Sequence, residues 1–128
     1  LTRPEAANGI AVSIVKNTAV IFDAMHLQQI LWNLCNNAWR HGSKRKHSVT
    51  LTVYPQKNGN FSLRVFDDGG GVPDNIIQHL FEPFYTTQAE GTGLGLYIAR
   101  ELAHANKGDL RYLPDKKAFE LILPKAES

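Results

Sequence analysis

The chain has 128 residues, 43% of them apolar, which suits one domain with a buried core. Its formal charge of +2 is too small, and its one dense basic run, Lys44-Arg45-Lys46-His47, too short, to suggest a nucleic-acid partner; the run reads as a solvated loop. A single cysteine, Cys35, rules out an internal disulfide and a cysteine-based metal cluster, and no apolar run approaches the ~18 residues of a membrane span.

Residues 1–9 read as a linker remnant and 10–128 as the domain. Ile10–Val15 and Ala19–Phe22 have strand character, with Lys16-Asn17-Thr18 as a turn between them. Asp23 then starts a helix to about His41, ended by Gly42. Leu27, Ile30, Leu31, Leu34 and Ala38 form its apolar stripe, and Cys35 flanks that stripe as a small core residue. Gln29, Asn33 and Asn37, with Arg40 and His41 at the foot, form a polar stripe on one flank. At about 100° per residue, Asn33 and Asn37 sit one above the other beside the buried face, where a cleft wall would be. Trp32 and Trp39 lie off the stripe and read as core-edge packing.

Val49–Tyr54 and Phe61–Asp67 read as a hairpin turned by Asn58-Gly59. Phe61, Leu63 and Val65 share a face, and period two puts Asp67 on it, an inward carboxylate that costs free energy unless paired. After the turn Gly69-Gly70-Gly71-Val72-Pro73, Asp74 caps a short helix to Leu80. Phe81, Phe84 and Tyr85 anchor a polar loop over 86–93, and a helix follows from Leu94 to Ala105, closed by Asn106 and Gly108. Strands Leu110–Leu113 and Ala118–Leu123 pair across Pro114-Asp115-Lys116-Lys117. This order predicts an α/β two-layer sandwich, a mixed, mostly antiparallel sheet with helices on one face.

Three features carry chemistry. Gly91-Thr92-Gly93-Leu94-Gly95-Leu96 runs into a helix N-terminus, whose free amides and dipole favour anions such as phosphates; alone it would equally suit a surface turn. No Gly-Lys-Ser/Thr follows, so it is not a Walker A loop. Asp67 suits an exocyclic amine, which adenine and guanine both present, and Gly69 and Gly71 would let a ligand lie against the backbone. Asn33 and Asn37 offer oxygens of the kind Mg²⁺ takes, and Arg40 and His41 lie within reach of phosphates. Each also has a bland reading: a turn-capping Asp, a solvated helix flank, an exposed basic pair near a helix C-terminus.

Together these residues resemble the ATP-binding catalytic domain of bacterial sensor histidine kinases, the GHKL superfamily shared with gyrase-type ATPases. Asn33-Leu34-Cys35-Asn36-Asn37-Ala38 is similar to the N box and Asp67-Asp68-Gly69-Gly70-Gly71-Val72-Pro73 to the G1 box. Phe81-Glu82-Pro83-Phe84-Tyr85-Thr86-Thr87 is similar to the F box and Gly91–Leu96 to the G2 box. The resemblance spans about Ile10 to Pro124 and implies the Bergerat fold with ATP and Mg²⁺ bound. It implies that Asn37 holds the metal, Asn33 assists, and Asp67 reads the adenine amine in a pocket shaped by Gly69, Gly71 and Val72. Arg40 and His41 would approach the phosphates and act with Asn33 in catalysis. Thr86, Thr87, Gly91, Thr92, Gly93, Leu94, Gly95 and Leu96 would belong to a short ATP lid, as in nitrogen-regulation sensor kinases, mobile without nucleotide.

Three positions depart from that pattern. Gln29 stands where hydrolysing relatives carry a Glu base, which favours transfer over hydrolysis. Gln88 replaces a lysine, and Lys117-Ala118 precedes Phe119 where many relatives have threonine, which puts a hydroxyl contact to adenine in doubt. No His-Glu-x-x-Arg/Asn-x-Pro segment occurs, so the expected γ-phosphoryl acceptor is a histidine on a separate dimerisation domain, with a response regulator downstream. The expected protein is a cytoplasmic piece of a larger, homodimeric parent open to anchoring in the inner membrane; alone it is expected to be monomeric and unable to autophosphorylate. An anti-sigma-type serine kinase on the same fold and a non-catalytic nucleotide-sensing or docking module are the alternatives.

Overall fold

The computed structural model describes residues 10–14, 22–86 and 93–125. Helix α1 (Ala24–His41) starts where the Asp23 side chain accepts from the His26 amide, and stops where the Gly42 amide returns to the Ala38 carbonyl. Its apolar stripe faces the core as the spacing requires: Ile30, Leu34, Cys35 and Ala38 are buried, and Leu27 and Leu31 pack around them. Burying side chains the size of Ile30 and Leu34 contributes about 1.5–3 kcal/mol each.

The remaining elements are β1 (Ile10–Ile14), β2 (Val49–Pro55), β3 (Phe61–Asp67), α2 (Asp74–Ile77), α3 (Gly95–Ala105), β4 (Asp109–Leu113) and β5 (Ala118–Leu123). The expected turn over 16–18 and most of the expected strand over 19–22 lie outside the described residues; Phe22 packs against the core without strand structure. The five strands form one sheet in the order β1-β2-β3-β5-β4, with β1 parallel to β2 and the other pairs antiparallel. Register aligns Leu51 with Val65, Val65 with Phe119, and Leu63 with Leu121 across one face. Helices α1 and α3 cover that face and meet each other, with buried Ala99 and Ala103 keeping α3 close to its neighbours. This is the two-layer α/β sandwich expected.

The opposite face is polar. Glu120, 1% exposed, accepts from Ser62 Oγ at 2.7 Å, Arg64 Nε at 2.9 Å and Arg111 Nε at 2.8 Å. Arg64 also lies over the Tyr54 ring. Burial alone would raise the Glu120 carboxyl, but the bonds from Ser62, Arg111 and Arg64 outweigh it and hold the group below the usual carboxylate range.

Candidate functional site

The polar flank of α1 forms one wall of a cavity of about 540 Å³, a size that fits a small-molecule ligand. Trp32, Asn33, Asn36, Asn37, Arg40 and His41 all line it. These positions follow one another along a single helical face, so α1 presents its apolar stripe to the sheet and its adjoining flank to the cavity. Gly71, Val72 and Pro73 form a second wall, Tyr85 and Thr86 a third, and Gly93, Gly95 and Leu96 a fourth at the start of α3. Of the expected site residues, Thr87, Gly91 and Thr92 lie outside the described ones. Leu94 is the N-cap of α3 and is not among the residues lining the cavity.

Asn33 acts as a clip. It accepts from Gln29 Nε2 at 3.0 Å and donates to the Gly95 carbonyl at 2.9 Å, tying α1 to the first residue of α3. Asn37, four residues on, has no side-chain hydrogen bond among the described residues, so its amide is left to the cavity. Leucine at the α3 N-cap has no side-chain oxygen with which to accept from first-turn amides.

Asp67 departs from expectation. It shares the face of Phe61, Leu63 and Val65 but is only half-buried, since β2 and β3 both end at the Val49–Asp67 pair and no further rung covers it. Its Oδ1 accepts from the Gly69 amide at 2.8 Å, and it stands beside the cavity without lining it. Gly69 does not line it either: a Cβ there would meet the His41 carbonyl at 2.5 Å and Asp67 Oδ1 at 2.8 Å, so packing of its own chain explains the glycine. Asp68 serves the loop after α1, accepting from the Ser43 amide at 2.6 Å and the Ser43 hydroxyl at 2.5 Å. Those two bonds hold its carboxyl below the usual range, the hydroxyl contributing most.

The loop ends meet at a neck. The Phe84 amide donates to the Gly93 carbonyl at 2.8 Å, and both residues have left-handed backbones, φ 68° and 76°. A side chain on Gly93 would collide with the Phe84 backbone. Phe84 was expected to anchor the loop, yet it is 74% exposed; Phe81 does the anchoring against the core, and Tyr85 stacks on His79 at 5.0 Å. Trp39 packs at the core edge as expected, whereas Trp32 lines the cavity. Asn36 was legible in principle, one turn before Arg40 on the same flank. Ile76, Leu80 and Tyr85 also line the cavity, and no sequence spacing marks them.

Cys35 is buried and its thiol is pushed up to about 11 by that burial, which makes it inert packing. No helix among the described residues is long and apolar enough to cross a membrane.

Residues 22–127 match the family described as histidine kinase-, DNA gyrase B-, and HSP90-like ATPase. The chain is 40% identical over 93 residues to the sensor protein kinase PilS of Pseudomonas aeruginosa, covering 70% of this chain and 18% of that protein. It is 38% identical over 114 residues to the signal transduction histidine-protein kinase AfsQ2 of Streptomyces coelicolor, covering 83% and 21%. It thus spans about a fifth of the length of these curated relatives. Among solved structures it is similar to full-length ShkA in complex with AMPPNP, with a TM-score of 0.71 and 27% identity over 97% of this chain and 27% of that one. A mycobacterial sensor histidine kinase, MprB, shares the fold at a TM-score of 0.75 and 24% identity, covering 93% of this chain and 83% of that one. The amide-bearing helix flank, the glycine turn and the helix start around one cavity agree with that match: the chain belongs to the histidine kinase-, DNA gyrase B-, and HSP90-like ATPase family.

Proposed function

We propose that the cavity binds Mg-ATP and presents its γ-phosphoryl group to a histidine on a separate phosphoacceptor domain of a homodimeric parent, within two-component signalling. The observation that carries this reading is that one cavity is lined both by Asn37, whose side-chain amide has no hydrogen-bond partner among the described residues, and by the start of α3. The ShkA relative, solved with AMPPNP, supports an adenine nucleotide here. The base would lie toward Gly71 and Val72; Asp67 Oδ1 serves Gly69, and Oδ2, which takes no bond among the described residues, would accept its amine. The phosphates would lie toward Gly93 and Gly95, with Arg40 and His41 on the facing wall. The family match over 22–127 supports reading 10–128 as the catalytic domain; a cytoplasmic placement is part of the same proposal.

The donor set fits Mg²⁺. Among the described residues no cluster of three His, Cys, Asp or Glu could cage a metal, and a hard cation carried by a triphosphate needs only one or two protein oxygens. Asn37 would hold it, and the bound cation would neutralise charge on the transferring phosphoryl group. Gln29 is a neutral amide engaged with Asn33, so no base stands there to activate water. Transfer to an external acceptor fits this site better than hydrolysis.

Calorimetric titration with ATP and GTP, with and without Mg²⁺, tests the reading. ATP should bind in preference to GTP, and a separately supplied phosphoacceptor domain should become labelled from γ-labelled ATP. Label on this chain alone, or no nucleotide binding, would overturn it.

A further inference from the structure

We propose that Tyr112, on β4, is a positioning residue of the nucleotide site: its hydroxyl holds the Gly71–Val72 wall in place. The proposal rests on the Mg-ATP reading of the cavity. Tyr112 Oη accepts from the Val72 amide at 3.0 Å, across 40 residues of sequence. The same oxygen lies 3.3 Å from where a Cβ on Gly71 would sit, and the Lys117 stem approaches that point at 3.1 Å. Gly71 is left-handed, φ 84°, so this stretch has no helix or strand ladder to hold it; a side-chain hydroxyl and a lysine stem do so instead.

The ring is itself fixed. It meets Phe119 edge-on at 5.0 Å, Phe119 meets Phe81 at 6.2 Å, and Arg100 of α3 lies over Phe81 at 4.9 Å. The glycine turn is thereby braced through a line of rings to the helix whose start lines the opposite wall. Among the described residues the hydroxyl accepts one bond and donates none, so its proton is uncommitted. Here Ala118 offers no hydroxyl beside Phe119, and Tyr112 supplies one from the neighbouring strand.

The test is Tyr112→Phe, which keeps the ring packing and removes only the oxygen. The ATP dissociation constant should rise about fivefold, the worth of one ordinary hydrogen bond. Amide exchange should accelerate at Val72 and stay unchanged at Leu121, while the nucleotide-free unfolding midpoint moves little. A lower midpoint with unchanged ATP affinity, or unchanged exchange at Val72, would overturn the proposal and leave the Mg-ATP reading standing. Failure of the unmutated chain to bind ATP would overturn both. Tyr112→Leu, which removes ring and hydroxyl together, should lower affinity and midpoint alike; affinity equal to the original would again overturn it.

Discussion

The two faces of the sheet each hold a carboxylate, and they are finished differently. On the open face Glu120 is sealed and takes bonds from Ser62, Arg64 and Arg111. On the helix-covered face Asp67 is half-buried and spends one oxygen on Gly69. A saturated buried charge is a structural knot, whereas one with bonding capacity to spare is equipped for a ligand. The same contrast separates Asn33, committed at both ends, from Asn37, committed at neither among the described residues.

This contrast can be broken by substitution. Glu120→Ala should cost about 3 kcal/mol, because it strands two guanidiniums and a buried hydroxyl, discounted because Arg111 is half-exposed; denaturant unfolding measures it, with ATP affinity of the folded protein unchanged. Gly93→Ala should cost about 2 kcal/mol, from a left-handed alanine pressed onto the Phe84 backbone, and should also weaken ATP binding. Asp67→Asn should do the reverse of Glu120→Ala: stability within about 1 kcal/mol, ATP affinity down about tenfold by calorimetry. Equal stability losses at Glu120 and Asp67 would erase the distinction.

Acid sharpens it further. Folding depresses the Glu120 carboxyl below its unfolded value, so its contribution is full above the unfolded value of about 4.3 and is lost as pH falls through the lower folded value. Glu120→Gln should flatten that acid limb of stability. Asp68, also depressed but solvent-exposed, should add a smaller acid loss that Ser43→Ala reduces, since the hydroxyl bond goes and the backbone amide bond stays.

What was legible in the sequence is what has a period. The stripe Leu27–Ala38 announced α1 and its buried face, and the flank through Asn33 and Asn37 announced the cavity wall, because 3.6 residues per turn fixes both at once. Alternation placed Phe61, Leu63 and Val65 correctly and set the face of Asp67, but alternation carries no information on where a strand loses its cover. Phe84 was misjudged for a related reason. Its exposure follows from a hydrogen bond to Gly93 nine residues away, which turns the backbone and throws the ring outward. Tyr112 and Trp32 owe their places to tertiary proximity that no local pattern reports.

The neck between Phe84 and Gly93 has a consequence for how this domain can diversify. Because the two ends are already held together, whatever is strung between them is a cassette on a closed clasp. Loop length changes closure free energy only logarithmically. Insertions, deletions or an engineered reporter peptide within the clasp should therefore leave the sheet and α1 undisturbed, so that the stretch between Phe84 and Gly93 can be rewritten independently of the scaffold that carries it.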